Sequence, residues 1–187
     1  LYTCPWPGQG FYFNKEVNSS ADTQGIKFRS YNSATATFAE ELGMIPVQVE
    51  AAELSQALAT GVASAFISSG STGYDRKVWE HLSHYYKVNA WLPRNYVIVN
   101  SQSWDALDDA TRAGMQKAAD ETGAACAAKS EELAEFYFAE LAKNGMTVED
   151  AGPKFLAGLK TIGGKMTADW LETAGADGQA IIDAYNN

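Results

Sequence analysis

The feature that most constrains the fold is a long stretch of helical composition, from Asp108 or Asp109 to Lys143. It contains no proline and many alanine, glutamate and lysine residues, which are good helix formers. An aspartate can cap its start, and the following Asn144-Gly145 pair ends it. At 1.5 Å per residue, roughly 35 helical residues extend about 50 Å, which exceeds the width of a small domain. We therefore expect one helix that runs across two lobes.

Upstream of this stretch, strand-like and helix-like patterns alternate along the chain. Apolar patterns typical of strands cover 25–31, 45–49 and 62–67, and the helical patterns between them end at Gly43 and Gly61. This order predicts an α/β fold with a parallel or mixed β-sheet and flanking helices. We further expect a loop over 1–10, a helix over 75–82, strands over 86–92 and 95–100, and two closing helices.

The composition excludes several classes of function. The chain of 187 residues has 14 basic and 23 acidic side chains, which gives a net charge of −9. Nucleic-acid binding needs a clustered basic face, so we expect no nucleic-acid partner. The sequence has no apolar run long enough for a transmembrane helix and no signal-peptide pattern, so we expect neither feature in it.

The two cysteines and two histidines give weak signals for chemistry. Cys4 and Cys126 are too far apart for a metal knuckle or a thioredoxin motif, and the simplest interpretation is two unpaired cysteines. A single disulfide is the alternative if the protein lives outside the cytoplasm. His81 and His84 lie three residues apart on a predicted helix, where solvated histidines are more common than a metal pair or a catalytic base. We therefore expect no metal, no cofactor and no catalytic residues.

Arg29 is the most informative charged residue. It ends an alternating strand directly before a helix, and its planar guanidinium matches a carboxylate with two hydrogen bonds. From spacing alone, an exposed arginine at a strand end is the more common outcome. The SSGSTG segment at 68–73 follows a buried strand, where α/β proteins bind ligands, yet it matches no phosphate-binding or hydrolase motif. This segment is equally compatible with a role in ligand contact and with a role as a plain connecting loop.

Four aromatic residues are candidates for a pocket wall, namely Trp6, Phe11, Phe66 and Trp91. Core packing is the usual role of such side chains, and it is what we expect for Phe66. An enzyme that used Ser71 as a nucleophile would need a base beside it, and the sequence offers no credible one.

Three segments in a fixed order resemble one protein family. They are NSSADTQGIKFRSYNSAT at 18–35, IPVQVEAAELSQALATG at 45–61 and VNSQSWDAL at 99–107. Over residues 11–150, the pattern is similar to the solute-binding proteins of tripartite ATP-independent periplasmic (TRAP) transporters, of the DctP type. The resemblance implies a two-lobed, periplasmic-binding-protein-like α/β fold whose ligand cleft closes by a hinge motion.

The resemblance also implies a division of the chain. Residues 1–105 would form most of the second ligand-binding lobe, and 106–187 the long bridging helix with the C-terminal helices that pack on the first lobe. Family members begin with further β-α units, so we expect the N-terminal part of the first lobe to be absent here. The apolar face that those units would cover is expected to associate with another chain, for example in a homodimer.

For the ligand site, the resemblance assigns the central role to Arg29. In the family, the arginine of this strand forms a bidentate pair with the ligand carboxylate. Ser68 stands where the family has an asparagine, and Gln9 lies near the position of a second arginine. Ala51 and Ala52 stand where some relatives have a bulky aromatic residue. These departures predict a roomier and less charged pocket.

The resemblance and the aromatic residues together predict a complete set of ligand contacts. Hydroxyl groups would add hydrogen bonds, and tryptophan and tyrosine rings would form flat walls. The predicted ligand-binding residues are Arg29, Ser68, Ser69, Trp6, Gln9, Tyr31 and Trp91.

These expectations describe a periplasmic binding protein that does no chemistry. It would capture an organic acid, with an aromatic or apolar monocarboxylate as the favoured class, and deliver it to the TRAP membrane permease subunits. Two alternatives remain at this stage, an α/β enzyme acting on a small carboxylate and a ligand-sensing binding protein.

Overall fold

The structure, a computed structural model, describes residues 1–186. Within them lie eight strands and six α-helices. The strands are β1 (Tyr2–Pro5), β2 (Gln9–Phe13), β3 (Lys27–Ser30), β4 (Ile45–Gln48), β5 (Ala65–Ser68), β6 (His84–Trp91), β7 (Arg94–Val97) and β8 (Thr147–Asp150). The helices are α1 (Ser33–Glu41), α2 (Leu54–Ala59), α3 (Gly70–Asp75), α4 (Ser101–Asp105), α5 (Asp109–Lys143) and α6 (Pro153–Asn186).

The chain divides into two compact units. The first contains residues 1–12 and 67–149, and the second contains residues 13–66 and 150–186. Strands β2, β5 and β8 contribute residues to both units. The division into lobes at residue 105 that the resemblance implies remains a prediction.

The second unit confirms the alternation of strands and helices seen in the sequence. Strand β3 pairs in parallel with β4 on one side and with β5 on the other. Helix α1 begins at Asn32, whose side chain accepts the backbone N–H of Thr35 at 2.8 Å. The helix stops before Gly43, whose φ of 70° is a left-handed conformation that glycine adopts without strain. The predicted N-cap of α1 and the predicted stop at Gly43 are therefore confirmed.

The first unit holds the long helix. Its strands are hydrogen-bonded in the order β5-β2-β6-β8, and a separate antiparallel ladder joins β1 to β7. Helix α5 spans 35 residues, and the Asp108 carboxylate accepts the N–H of Thr111 at 2.9 Å at its start. The predicted length is confirmed because no proline or buried polar break interrupts this stretch.

The chain ends with the two predicted helical segments. Within α6, Gly175 has a φ of 59° and a ψ of −143°, which no α-helix contains. The residue therefore interrupts the helix at one point. In the described part of the chain, no helix is both long enough and apolar enough to cross a membrane.

Two local predictions are wrong. The segment predicted as a loop contains β1, which tolerates Pro5 because that residue is the last of the pairing, opposite Arg94. The helix predicted over 75–82 is replaced by α3 and a short 3-10 turn, because Lys77 takes a left-handed φ of 48° that a helix cannot continue. His84 consequently starts β6, so the two histidines do not share a helix face.

The favoured interpretation of the cysteines is also wrong. Cys4 and Cys126 form a disulfide, with their Cα atoms 5.7 Å apart. The ladder of β1 and β7 places Cys4 beside the middle of α5, a contact between residues 122 positions apart that sequence spacing cannot reveal. Strand β1 is therefore covalently tied to the long helix.

Removing this disulfide should lower stability markedly. Because the bond closes a loop of 122 residues, its loss in the Cys4→Ala/Cys126→Ala variant should cost about 2–5 kcal/mol. For a chain of this size, that corresponds to a fall in Tm of roughly 5–15 °C in a thermal melt. The wild-type protein melted in reducing agent serves as the control and should show the same fall. A Tm that is unchanged in both samples would show that the disulfide does not stabilise the native state.

Candidate functional site

Arg29 is a buried cation on the central strand of the second unit. In β3 it lies opposite Val47 of β4 and Phe66 of β5, and only 5% of its surface is exposed. Its Nε–H donates to the carbonyl oxygen of Val49 at 2.9 Å, and its guanidinium carbon lies 5.0 Å from the centre of the Tyr31 ring. One edge of the guanidinium is thus fixed by the backbone, and a cation–π contact supports it.

The terminal nitrogens of this guanidinium have no partner in the part of the chain that the structure describes. Among the described residues, no acceptor bonds the two terminal nitrogens of Arg29 and no carboxylate forms an ion pair with them. Burial lowers the pKa of the Arg29 guanidinium below its usual value, and the charges of Tyr31 and Glu50 act in the opposite direction. A buried charge without a counter-ion is costly. The arrangement is therefore suited to an anion that meets the free edge with two oxygens.

The first unit brings together two other predicted residues, Trp6 and Ser69. The indole N–H of Trp6 donates to the Ser69 hydroxyl at 2.8 Å, and that hydroxyl also shares a hydrogen bond of 2.8 Å with Ser71. Ser69 is fully buried, whereas 38% of Trp6 is exposed. The Ser69 hydroxyl is therefore occupied by protein groups, and the exposed ring of Trp6 is the part of this pair that a ligand can touch.

Two buried tyrosines hold the backbone of the same segment. The Tyr12 hydroxyl donates to the Ser69 carbonyl at 2.9 Å, and the Tyr85 hydroxyl lies 3.5 Å from the Ser68 carbonyl. Their rings are 4.5 Å apart. Burial raises the pKa of both tyrosines, so both remain protonated donors. Neither tyrosine stands out in the sequence, although Gly10 in the QGFYF strand indicates a close approach, which the structure shows to be with Tyr85.

The remaining predicted residues take varied positions. Gln9 is buried at the start of β2, and Trp91 is half-buried at the end of β6. The Ser68 hydroxyl donates to Thr72 at 2.8 Å. Tyr31 lies beside Arg29, as the contact above shows. The structure thus joins Trp6 with Ser69 and Arg29 with Tyr31.

Two cavities in the first unit share Trp6 as a wall. One, of about 250 Å³, is lined by Trp6, Ser71, Tyr137 and both cysteines of the disulfide. The other, of about 650 Å³, lies between the segment from Pro5 to Gly8 and helix α5. In residues 1–186, no cluster of histidine, cysteine, aspartate and glutamate side chains is arranged to hold a metal ion.

The geometry around Ser71 does not resemble a nucleophile with its base. The hydrogen-bond partner of its hydroxyl is the Ser69 hydroxyl. The His84 ring nitrogen Nδ1 is instead hydrogen-bonded to Ser83 at 2.8 Å. Neither contact can take a proton from Ser71 as a general base would.

The sequence profile of the bacterial extracellular solute-binding proteins, family 7 (DctP), matches residues 9–173. The chain belongs to this family. The prediction made from the three sequence segments is therefore confirmed. No curated protein is significantly similar to the chain.

Three solved structures are similar over nearly all of the chain. A TRAP solute-binding protein specific for pyroglutamate, from an unidentified microbe of a marine metagenome, is 79% identical, with a TM-score of 0.95 over 99% of this chain and 61% of its own. DctP6 and DctP7 of Bordetella pertussis, extracytoplasmic solute receptors that bind pyroglutamic acid, are 44% and 35% identical. Their TM-scores are 0.97 and 0.96 over 100% of this chain and 62% of theirs.

These relatives confirm the α/β binding-protein fold. They are extracytoplasmic solute receptors and not enzymes, which agrees with the expectation of a protein without catalytic residues. The chain spans about 61–62% of the length of the three structures.

If Arg29 serves a ligand, it should contribute little to the stability of the ligand-free protein. Arg29→Met removes an unpaired buried charge but leaves the Val49 carbonyl without its donor, and these effects oppose each other. We expect a change in Tm of less than about 3 °C without ligand. Phe28→Ala, at the fully buried neighbouring position, is the matched control and should cost about 3–5 kcal/mol. An equal loss in both variants would identify Arg29 as a structural residue.

The packing of Tyr12 can be tested through a glycine. A Cβ atom added at Gly73 would collide with the Tyr12 hydroxyl, so Gly73→Ala should destabilise the protein by about 1–3 kcal/mol. Gly114 lies in α5 with open space around it, so Gly114→Ala should stabilise by up to about 1 kcal/mol. Chemical denaturation of both variants checks the pair. Equal effects would show that Tyr12 does not require the space at Gly73.

Proposed function

We propose that this chain forms the ligand-binding part of a TRAP transporter's solute receptor in the periplasm. It captures a small organic acid and delivers it to the membrane permease subunits. The observation that carries the proposal is the buried guanidinium of Arg29, whose terminal nitrogens have no partner among the described residues. A carboxylate is the counter-ion whose two oxygens match this free edge.

We further propose pyroglutamate as the ligand. The three similar structures, at 79%, 44% and 35% identity, all belong to proteins that bind this acid. Pyroglutamate has one carboxylate on a small lactam ring, so it agrees with the monocarboxylate predicted from sequence. Its ring is not aromatic, and its lactam group asks for polar partners in addition to apolar walls. This proposal therefore replaces the aryl acids that the sequence alone favoured.

The carboxylate would be held by a preorganised donor pair. The backbone bond from Arg29 to Val49 orients the guanidinium plane before any ligand arrives, and the Tyr31 ring contacts it. Little side-chain entropy is then lost when the terminal nitrogens bind two carboxylate oxygens. This preorganisation favours arginine over lysine, because an ammonium group has no second parallel donor edge.

The other predicted ligand-binding residues complete the proposal. Trp6 and Trp91 would contact the ring through their faces, and Gln9 and Ser68 would supply polar contacts to the lactam. Ser69 would act through Trp6, because its own hydroxyl is buried and already bonded. Hinge closure would need only a higher affinity of the ligand for the closed state.

Two further proposals concern the whole protein. Residues 1–105 form most of its second lobe, and 106–187 form the long bridging helix and the helices that pack on its first lobe. The apolar face of those helices that the first lobe would cover associates with another chain, as in a homodimer. The enzyme alternative has no supporting observation, since no described basic residue is hydrogen-bonded to Ser71.

Ligand stabilisation tests the proposal directly. The chain, expressed with any sequence that flanks it in its own gene, should be stabilised by L-pyroglutamate. At a ligand concentration of 100 times Kd, the gain should be about 2.7 kcal/mol. L-pyroglutamide lacks the carboxylate and should not stabilise it. L-proline lacks the lactam carbonyl and should stabilise it less. Thermal melts with the three compounds give the comparison.

Variants locate the carboxylate in the same assay. Arg29→Met should abolish the stabilisation by L-pyroglutamate, and Arg29→Lys should retain only part of it. Arg112→Met is the control, because Arg112 lies at the start of α5 and pairs with Asp109 of the same helix. Equal stabilisation by L-pyroglutamide and L-pyroglutamate, or full stabilisation of Arg29→Met, would contradict the proposal.

A further inference from the structure

Trp6 is held at three points. Two residues before it, Cys4 is bonded to Cys126 of α5. Its own backbone N–H donates to the carbonyl of Pro93 at 2.9 Å, and its indole N–H donates to Ser69 at 2.8 Å. The main chain and the ring are thus anchored separately, which fixes the direction in which the exposed face of the indole points.

The contact between β1 and α5 shows that the disulfide is part of a fitted surface. Tyr2 and Cys4 lie on one face of the strand, since side chains alternate along it. Gly123 and Cys126 lie three residues apart on one face of the helix. A Cβ atom added at Gly123 would lie 3.1 Å from the Tyr2 side chain. The strand therefore packs closely on the helix at the glycine and is bonded to it one turn later.

Strand β1 has little else to hold it in place. Its ladder partner is β7, whose four residues are all exposed, and these two strands form a sheet of their own. A two-stranded ladder is only marginally stable by itself. The attachment to α5 is therefore what keeps the segment with Trp6 in a fixed position.

The disulfide and the indole also share a cavity. Both cysteines, Trp6 and Ser71 line the space of about 250 Å³. Movement of Cys4 away from α5 would open this space and remove the support beneath the indole. The hydrogen bond from Trp6 to Ser69 is the contact that such a movement would break.

We propose that the Cys4–Cys126 disulfide is a positioning element for ligand binding. It holds Trp6 against Ser69, and through Trp6 it determines the affinity for the carboxylate ligand. The two cysteines do not touch the ligand themselves. This inference rests on the proposed function, in which Trp6 forms a wall of the ligand site.

A double-mutant cycle tests the coupling. The Kd of L-pyroglutamate is measured by calorimetry for the wild type, Trp6→Phe, Cys4→Ala/Cys126→Ala and the combined variant. Each of the first two changes should raise Kd about tenfold, the effect of one lost hydrogen bond. The combined variant should bind no more weakly than Trp6→Phe alone, because the disulfide acts through the indole. Unchanged affinity without the disulfide, or effects that multiply, would overturn the proposal.

A second measurement needs no ligand. The indole N–H of Trp6, identified by its loss in Trp6→Phe, should exchange slowly with solvent in the wild type. In Ser69→Ala, which keeps the disulfide, and in the cysteine variant, it should exchange at least tenfold faster. Slow exchange in the cysteine variant would refute the positioning role. If the cysteine variant does not fold, the wild type treated with reducing agent below its Tm decides: at least tenfold faster indole exchange supports the positioning role, and unchanged slow exchange refutes it.

The two proposals can fail separately. If the folded wild type does not bind L-pyroglutamate, the proposed ligand is refuted, and so is the effect of the disulfide on its Kd. The exchange rate of the Trp6 indole N–H still decides whether the disulfide positions Trp6. Leu159→Ala is the control for general loss of stability, because its side chain is buried in α6 of the second unit and its truncation should cost about 2–5 kcal/mol. It should leave Kd and the indole exchange unchanged. A change in either would attribute the effects to stability alone.

Discussion

The proposed ligand site depends on a single buried guanidinium, that of Arg29. The parallel pairing of β3 with β4 places Val49 just beyond the strand, where its N–H donates to Ser30 and its carbonyl accepts from Arg29. This bond satisfies the Nε side of the cation. A protein selected only for stability would fill such a position with an apolar residue. The buried terminal nitrogens without an acceptor among the described residues are therefore the physical reason for assigning an anion to this strand.

In the first unit, neutral groups fix the segment that we propose as a wall of the ligand site. The hydroxyls of Tyr12 and Tyr85 hold or contact successive backbone carbonyls at the start of α3, and Ser69 receives the indole of Trp6. Each of these groups is neutral, so the segment is fixed without burying additional ions. The disulfide adds the only covalent constraint in the described residues. Extracytoplasmic proteins can rely on such a bond because their surroundings are oxidising.

Local sequence signals predicted the regular parts of the fold. Caps and glycine stops located α1 and α5 because these signals act over a few residues. Strand β1 was missed because its partner, β7, lies about ninety residues away, and the disulfide was missed for the same reason. Arg29 stood out because arginine is rare in this chain, but its burial and its single backbone partner required the structure. Tyr12 and Tyr85 look like ordinary core residues in the sequence.

The most direct test of the central claim is a crystal structure of the protein with L-pyroglutamate bound. The account predicts that both carboxylate oxygens lie about 2.7–2.9 Å from the terminal nitrogens of Arg29. The bond from its Nε to the Val49 carbonyl should persist unchanged. A carboxylate bound elsewhere, with Arg29 paired to a protein acceptor, would contradict the account.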